Sequence, residues 1–397
     1  MTYEESLKYL SDLNVLGIKP GLERITLLAE KLSNPQNFFP TIHVSGTNGK
    51  GSTCAMLAKI FQEAGFKVGL FTSPHLESYC ERFKVNDKNI SESEFAEIIE
   101  LIKFFEVPAT QFEVLTAAAF AYFAKKKVDI AIIEVGLGGL WDSTNIITPK
   151  ISVITNVALD HENILGDLKN IALNKAGIIK KNIPVVTGAT DLPLEIIREV
   201  AEKNSAPIYE VHEPAEVKIN LRGEFQKFNA AIAIQTAKIL GVEEEKIFRG
   251  LEKVSWAGRF EIFETDFGKV VIDGAHNPHG AAALRQSLDK NFPEGRRNFI
   301  FGALADKNID AMIKILFRAD DFAIVLSPNS DRAESVENLC RKLKNFSVEC
   351  VGAKNISDAL EKLKTSDGLK IVCGSLYLIG DIRKNILTEQ NSAALAI

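Results

Sequence analysis

Cysteine is scarce. Five thiols (Cys54, Cys80, Cys340, Cys350, Cys373) stand in 397 residues, and no two form a C-x-x-C pair. Scattered and odd in number, they make neither a disulfide framework nor a zinc site, and they suit the reduced thiols of a cytoplasmic protein. Positive charge is not in excess either: 47 Lys and Arg face 52 Asp and Glu, a formal net charge of −5. That excludes a broadly basic nucleic-acid surface, while local basic clusters can still serve small anions. No run approaches the roughly 20 apolar residues of a membrane span. The opening MTYEESLKYL is acidic and lacks a basic segment followed by an apolar core, so no secretory signal is expected. Short-period repeats and low-complexity segments are also missing.

What is there is an ordinary globular balance, 46% hydrophobic and 25% charged, in a chain long enough for two or three domains. Short β-rich apolar runs alternate with helical patterns. Strands are expected at 42–45, 67–71, 129–135, 151–155 and 183–187, and Met56, Leu57, Ile60, Phe61 and Ala64 recur at helical spacing between the first two. After WAGRFEIFETDFGK the pattern restarts, with strands expected at 269–272, 298–302, 322–326 and 370–373. The expected fold class is α/β. An N-terminal P-loop mononucleotide-binding domain with a mostly parallel sheet (1–260) precedes a smaller C-terminal Rossmann-like α/β domain (261–397).

The stretch TIHVSGTNGKGSTCAMLAKIF joins a strand to a helix through a loop of glycines, hydroxyls and a lysine. Glycines let backbone N–H groups turn toward phosphate oxygens, the helix adds its positive end, and Lys50 can neutralise terminal phosphates. The loop departs from the common G-x-x-x-x-G-K-[ST] pattern: Val44 stands at the first glycine position, and Gly51 separates Lys50 from Ser52. Ligands of open α/β sheets sit at the carboxyl ends of the strands, and more polar residues collect there. Glu134 ends an apolar strand, where a buried carboxylate calls for a partner or a metal, and magnesium takes oxygen ligands while keeping several waters. Asp160 and His161 lie just past the strand that begins at Ile151. Lys175 sits among Ile171, Ala172, Leu173, Ala176 and Ile178. There it is either a desolvated, reactive amine or a buried stem whose head reaches solvent. In the second half, VVIDGAHNPHG gathers Asp273, His276, Asn277 and His279, Arg259 stands shortly before it, and IVCGSLYLIGDIR adds Gly374 and Ser375. Strand-end loops on both domains would make a cleft for a nucleotide and an acceptor.

Taken together, GIKPGLERI, SGTNGKGST, FTSPHLESYCERFKVN, QFEVLTAAAFAYF, EVGLGGLWDSTN, DHENILG, KAGIIK, FNAAIA, GRFE, DGAHNPHG and GSLYL cover nearly the whole chain. In this order and spacing the sequence resembles the folylpolyglutamate synthase and dihydrofolate synthase family of the Mur ligase superfamily. The resemblance implies ATP-dependent amide formation, in which a substrate carboxylate is phosphorylated and the acyl phosphate is attacked by the amino group of L-glutamate. It implies that Asn48, Gly49, Lys50, Gly51 and Ser52 hold the ATP phosphates and that Asn229, Arg259 and Asp273 contact ATP. Ser73, Glu134 and His161 match the family's magnesium ligands. Lys175 matches a lysine that reacts with carbon dioxide to form a carbamate supporting a second magnesium ion. His276 and Ser375 match positions around the incoming glutamate, and Trp141, Asp142, Ser143 and Thr144 match contacts to the pterin-bearing acceptor. Lys50, Lys175 and His276 form the implied catalytic set.

Three features depart from the family pattern. The segment between His161 and Lys175 is one residue shorter than usual, Trp141 replaces a common arginine, and Phe225-Gln226 replaces a common His-Gln pair. The alternative is a cell-wall Mur ligase, which shares the phosphate loop and the acyl-phosphate chemistry. The GKGST form of the loop, TSPHL followed by ERF, and the want of an obvious extra UDP-binding domain speak against it. A nucleotide-dependent switch would not need the 273–279 cluster. The expected partners are small molecules, a folate or pteroate acceptor and L-glutamate, with no nucleic acid and no membrane, acting on a monomer.

Overall fold

The computed structural model describes residues 1–13, 20–160 and 162–394. They form two compact units, 1–220 with 226–255, and 221–225 with 256 onward. No helix among the described residues is long and apolar enough to cross a membrane.

The first unit is built on eight strands: β1 (Thr41–Ser45), β2 (Val68–Phe71), β3 (Phe83–Val85), β4 (Lys88–Asn89), β5 (Ile130–Glu134), β6 (Ile151–Ile154), β7 (Val185–Thr187) and β8 (Ile208–Glu210). Their order is β4-β3-β2-β5-β1-β6-β7-β8. All neighbours pair parallel except β2 with β3 and β3 with β4. The central strands β1, β2, β5 and β6 are buried at every position, as a parallel sheet covered on both faces requires. One cover is the helix Gln111–Lys126, started by a capping box between Thr110 and Glu113. Its Phe120 and Phe123 enter a core with Phe71, Phe83 and Phe95. Because β1 lies between β5 and β6, the chain leaves β1 toward one side and later returns to the other. That switch opens a crevice at the carboxyl ends of these three strands.

The second unit holds β9 (Glu261–Thr265), β10 (Gly268–Ile272), β11 (Arg297–Phe301), β12 (Phe322–Val325), β13 (Glu349–Gly352) and β14 (Leu369–Cys373), in the order β13-β12-β11-β14-β10-β9. Only β9 runs antiparallel to its neighbour. β14 inserts between β10 and β11, so the loops after β10 and β14 lie side by side, tied by Asp273 N–H to the Val372 carbonyl and Gly374 N–H to the Ala275 carbonyl.

Every strand expected from sequence is present. The additional ones, β3, β4, β8, β9 and β13, all lie at or next to a sheet edge.

Candidate active site

The loop after β1 is a tight, latched turn. Gly46 has φ +148°, and a Cβ there would lie 1.9 Å from Thr155 Oγ1; Gly49 has φ +82°, and its Cβ would lie 2.3 Å from Asn229 Oδ1. Both positions therefore exclude a side chain on conformation and on space. Latches come from the loop after β6. Thr155 Oγ1 and Asn156 Nδ2 donate to the Asn48 carbonyl at 2.6 and 2.9 Å, and Asn156 Oδ1 accepts the Asn48 N–H at 3.0 Å. Thr47 Oγ1 bonds the backbone of Ala158 in both directions. Thr155 and Asn156 were not singled out from the sequence. The signal available was a second polar cluster, TN, at the end of β6, echoing the TN of the loop itself.

The helix Lys50–Glu63 starts directly at this turn, with Gly49 as its cap. Lys50 curls back, its Nζ donating to the Gly46 and Thr47 carbonyls at 3.0 and 3.2 Å. Ser52 is buried and its hydroxyl accepts from Gln226 Nε2 at 3.2 Å; Gln226 in turn accepts from Asn229 Nδ2 at 2.9 Å. The Phe225-Gln226 departure thus retains the residue that touches the loop helix.

Lys175 reaches the same carbonyl from the other side. It belongs to the helix Leu168–Ala176, whose first turn is capped by Asp167 accepting from Asn170 N–H at 2.8 Å. Lys175 is buried, and its Nζ donates to Gly46 O at 2.8 Å. Burial, with the nearby Lys50 adding to it, pushes its pKa down to about 7, against a weaker pull from Asp160 and Asp142. Near neutral pH a large share of this amine is therefore uncharged.

On β5, Glu134 pairs in register with Val44 of β1, which sets its carboxylate at the same sheet end as the loop. Glu134 is buried, and its Oε2 accepts the Ser73 N–H at 3.0 Å. Of the three expected magnesium ligands, Ser73 and Glu134 are thus brought together, and His161 lies outside the described residues.

Trp141 is 53% exposed, at the tip of the loop after β5. Asp142, Ser143 and Thr144 are buried beneath it and direct their polar atoms inward. Asp142 accepts from Leu137 N–H, Thr144 N–H and the Thr144 hydroxyl at 2.8, 3.0 and 2.5 Å, and Ser143 Oγ meets Thr116 Oγ1 at 2.6 Å. Of these four expected acceptor contacts, only Trp141 presents its side chain to solvent; the other three shape the loop.

In the second unit, Asp273 follows β10 and is buried. Its two carboxylate oxygens accept from Phe260 N–H and Ala275 N–H, both at 2.8 Å. Burial raises its pKa, and Arg259 and these amides oppose the rise. Arg259 covers Gly274, where a Cβ would lie 2.4 Å from the guanidinium. His276 Nδ1 lies 2.7 Å from the Gly274 carbonyl and so must be the protonated nitrogen, leaving Nε2 as the basic one in the neutral ring. Ser375 is buried, and its hydroxyl has no hydrogen-bond partner.

Residues 44–216 match the Mur ligase middle domain and residues 258–376 the Mur ligase glutamate ligase domain. A dihydrofolate synthase/folylpolyglutamate synthase of Bacillus subtilis is 36% identical over 430 residues, covering 97% of this chain and 99% of the relative. Escherichia coli FolC in complex with DHPP and ADP superposes with a TM-score of 0.89 at 30% identity, over 97% of this chain and 98% of that one. A bifunctional folylpolyglutamate synthase/dihydrofolate synthase with Mn, AMPPNP and L-glutamate bound gives a TM-score of 0.87 at 29% identity, over the same shares of the two chains. By its sequence along nearly its full length, the chain belongs to the folylpolyglutamate synthase and dihydrofolate synthase family of Mur ligases.

Proposed function

We propose that the protein is an ATP-dependent carbon–nitrogen ligase that joins L-glutamate to a folate-type carboxylate, dihydropteroate or a reduced folate, through an acyl phosphate. The observation that carries this reading is the convergence of Lys50 and Lys175 on the Gly46 carbonyl. It lies at the sheet end that also holds Glu134 and Ser73. The Lys50 ammonium over a glycine turn and a helix start forms an anion site, with the Lys175 amine beside it. The adjacent carboxylate and hydroxyl are hard oxygen donors that fit magnesium.

Residues 48–52 hold the ATP phosphates, with Lys50 moving from the loop carbonyls to the terminal phosphates. Asn229, Arg259 and Asp273 are assigned to the nucleotide, Asp273 acting by setting the backbone beside Arg259. Trp141 contacts the acceptor. An acceptor carboxylate oxygen attacks the γ-phosphorus, the bond to ADP breaks, and an acyl phosphate forms. The glutamate amine then attacks the carbonyl carbon and phosphate leaves. His276 Nε2 takes the amine proton, and Ser375 offers its hydroxyl to the glutamate. Positioning and charge neutralisation dominate such phosphoryl transfer.

Ser73, Glu134 and His161 would hold one magnesium ion, which when bound offsets charge on the phosphates. A second ion fits beside Lys175 only if its amine adds to carbon dioxide, losing a proton and becoming a carbamate anion. The lowered pKa of Lys175 supports that chemistry, because only the neutral amine reacts.

The test is phosphate release from ATP, with dihydropteroate and tetrahydrofolate assayed in parallel using labelled L-glutamate. Release should require both an acceptor and glutamate, with a product heavier by one glutamyl residue. Release that ignores both additions would defeat the ligase reading. Activity with neither acceptor, while ATP binds, would defeat the folate assignment.

A further inference from the structure

His43, in the middle of β1, takes no part in the proposed chemistry, yet it is fully buried. Its Nε2 lies 2.8 Å from the Thr144 hydroxyl, and its Nδ1 has no hydrogen-bond partner. A hydroxyl has one proton to give, and an ionised carboxylate can only accept. Thr144 gives its proton to Asp142, so His43 must be the donor, as the Nε2–H tautomer with a bare Nδ1 lone pair. An apolar residue would fill the same place without stranding an acceptor, and would forfeit this one bond. What the histidine contributes is therefore the donor.

The same face of the strand grips the loop a second time. Side chains alternate along a strand, so Ser45 points as His43 does, and its Oγ donates to the Gly138 carbonyl at 2.7 Å. Residues 138–144, which carry Trp141 at their tip, are thus held from the strand that leads into the phosphate loop. We infer that His43 is a positioning residue: through Thr144 it fixes the loop that presents Trp141 to the acceptor. Its effect on the loop stands by itself, whereas its effect on the acceptor rests on the assignment of Trp141 given above.

The chain has two tryptophans, so Trp256→Phe leaves Trp141 as the sole reporter. In that background, His43→Leu should at least double the acrylamide quenching of Trp141. It should raise the KM for dihydropteroate about tenfold, as loss of one buried hydrogen bond implies, and leave the KM for ATP within about twofold. His43→Gln, which restores an N–H at similar reach, should bring both quenching and KM back to within about threefold of the parent. Unchanged quenching in His43→Leu, an ATP KM rising in step with that for dihydropteroate, or no rescue by glutamine would each overturn the inference. Should His43→Leu fail to fold, Thr144→Val removes the other end of the bond and must reproduce the quenching change; parental quenching there overturns it equally. If the quenching responds as expected but dihydropteroate neither perturbs Trp141 nor changes its KM, the positioning role holds and the acceptor assignment of Trp141 falls.

Discussion

The strand-end loops of the two units solve opposite electrostatic problems. After β1, two lysine amino groups, those of Lys50 and Lys175, meet backbone carbonyls. After β10, a buried carboxylate meets backbone N–H groups on both oxygens. The first loop therefore holds the Lys50 ammonium and the Lys175 amine on backbone oxygens, where the proposed function sets an anionic ligand. The second meets its carboxylate with backbone N–H groups, and beside it the Ser375 hydroxyl has no partner. In the proposed reaction, charge chemistry falls to the first unit, and shape and orientation to the second.

The sharpest way to break this contrast is Lys50→Ala. Removing a cation from phosphates in a water-poor site should lower kcat by about 10³-fold or more, while the melting temperature stays near the parent value. Near-native turnover in a steady-state assay would deny the loop its role. Next in size is Lys175→Met, measured by urea unfolding in carbon-dioxide-free buffer. The folded pKa is about 7 against an ordinary lysine value of 10.5, so the unfolded chain holds a proton that the folded one sheds between these values. The penalty is full below about pH 7 and fades as pH approaches 10.5. The methionine variant should thus be more stable by roughly 2–4 kcal/mol at pH 6, with the gap closing near pH 10. A gap that does not change with pH would mean the amine is not desolvated.

On the other side of the comparison, Asp273→Asn places an amide where two N–H groups require acceptors. It should cost roughly 1–3 kcal/mol in denaturant unfolding, with any loss of ATP affinity following the damage to the loop. A variant as stable as the parent would show that the carboxylate is not what holds 258–275 together. The smallest effect is expected from Ser375→Ala. Deleting a buried hydroxyl without a partner should leave stability within about 1 kcal/mol or raise it slightly, while the KM for glutamate rises. A larger loss of stability would show that the hydroxyl is bonded within the fold and is not left for a ligand.

The sequence disclosed the middle of each sheet and hid its margins. β1, β2, β5 and β6 are buried at every residue, so their apolar runs stand out against the surrounding polar sequence. β4 is exposed throughout and β13 alternates between exposed and half-buried, and a strand that meets solvent carries no such run. A similar limit governed the site. Lys50, Glu134 and Lys175 could be singled out because a charge at a strand end or in an apolar helix is conspicuous. Asp142, Ser143 and Thr144 could not be told apart from ligand contacts, since a polar atom turned inward to cap a short turn has the same letter as one turned outward. His43 carries no such signal within an apolar strand; its role rests on the path of the proton through Thr144.

The latching of residues 46–49 has a thermodynamic consequence. Thr155, Asn156 and Ala158 hold the turn from the neighbouring strand end, so the nucleotide of the proposed function would meet a backbone that has little conformational freedom left to surrender. Preorganisation of this kind removes an entropic penalty from association. In the proposed reading it would tie nucleotide affinity to Thr155, Asn156 and Ala158, which act on the loop rather than on the phosphates.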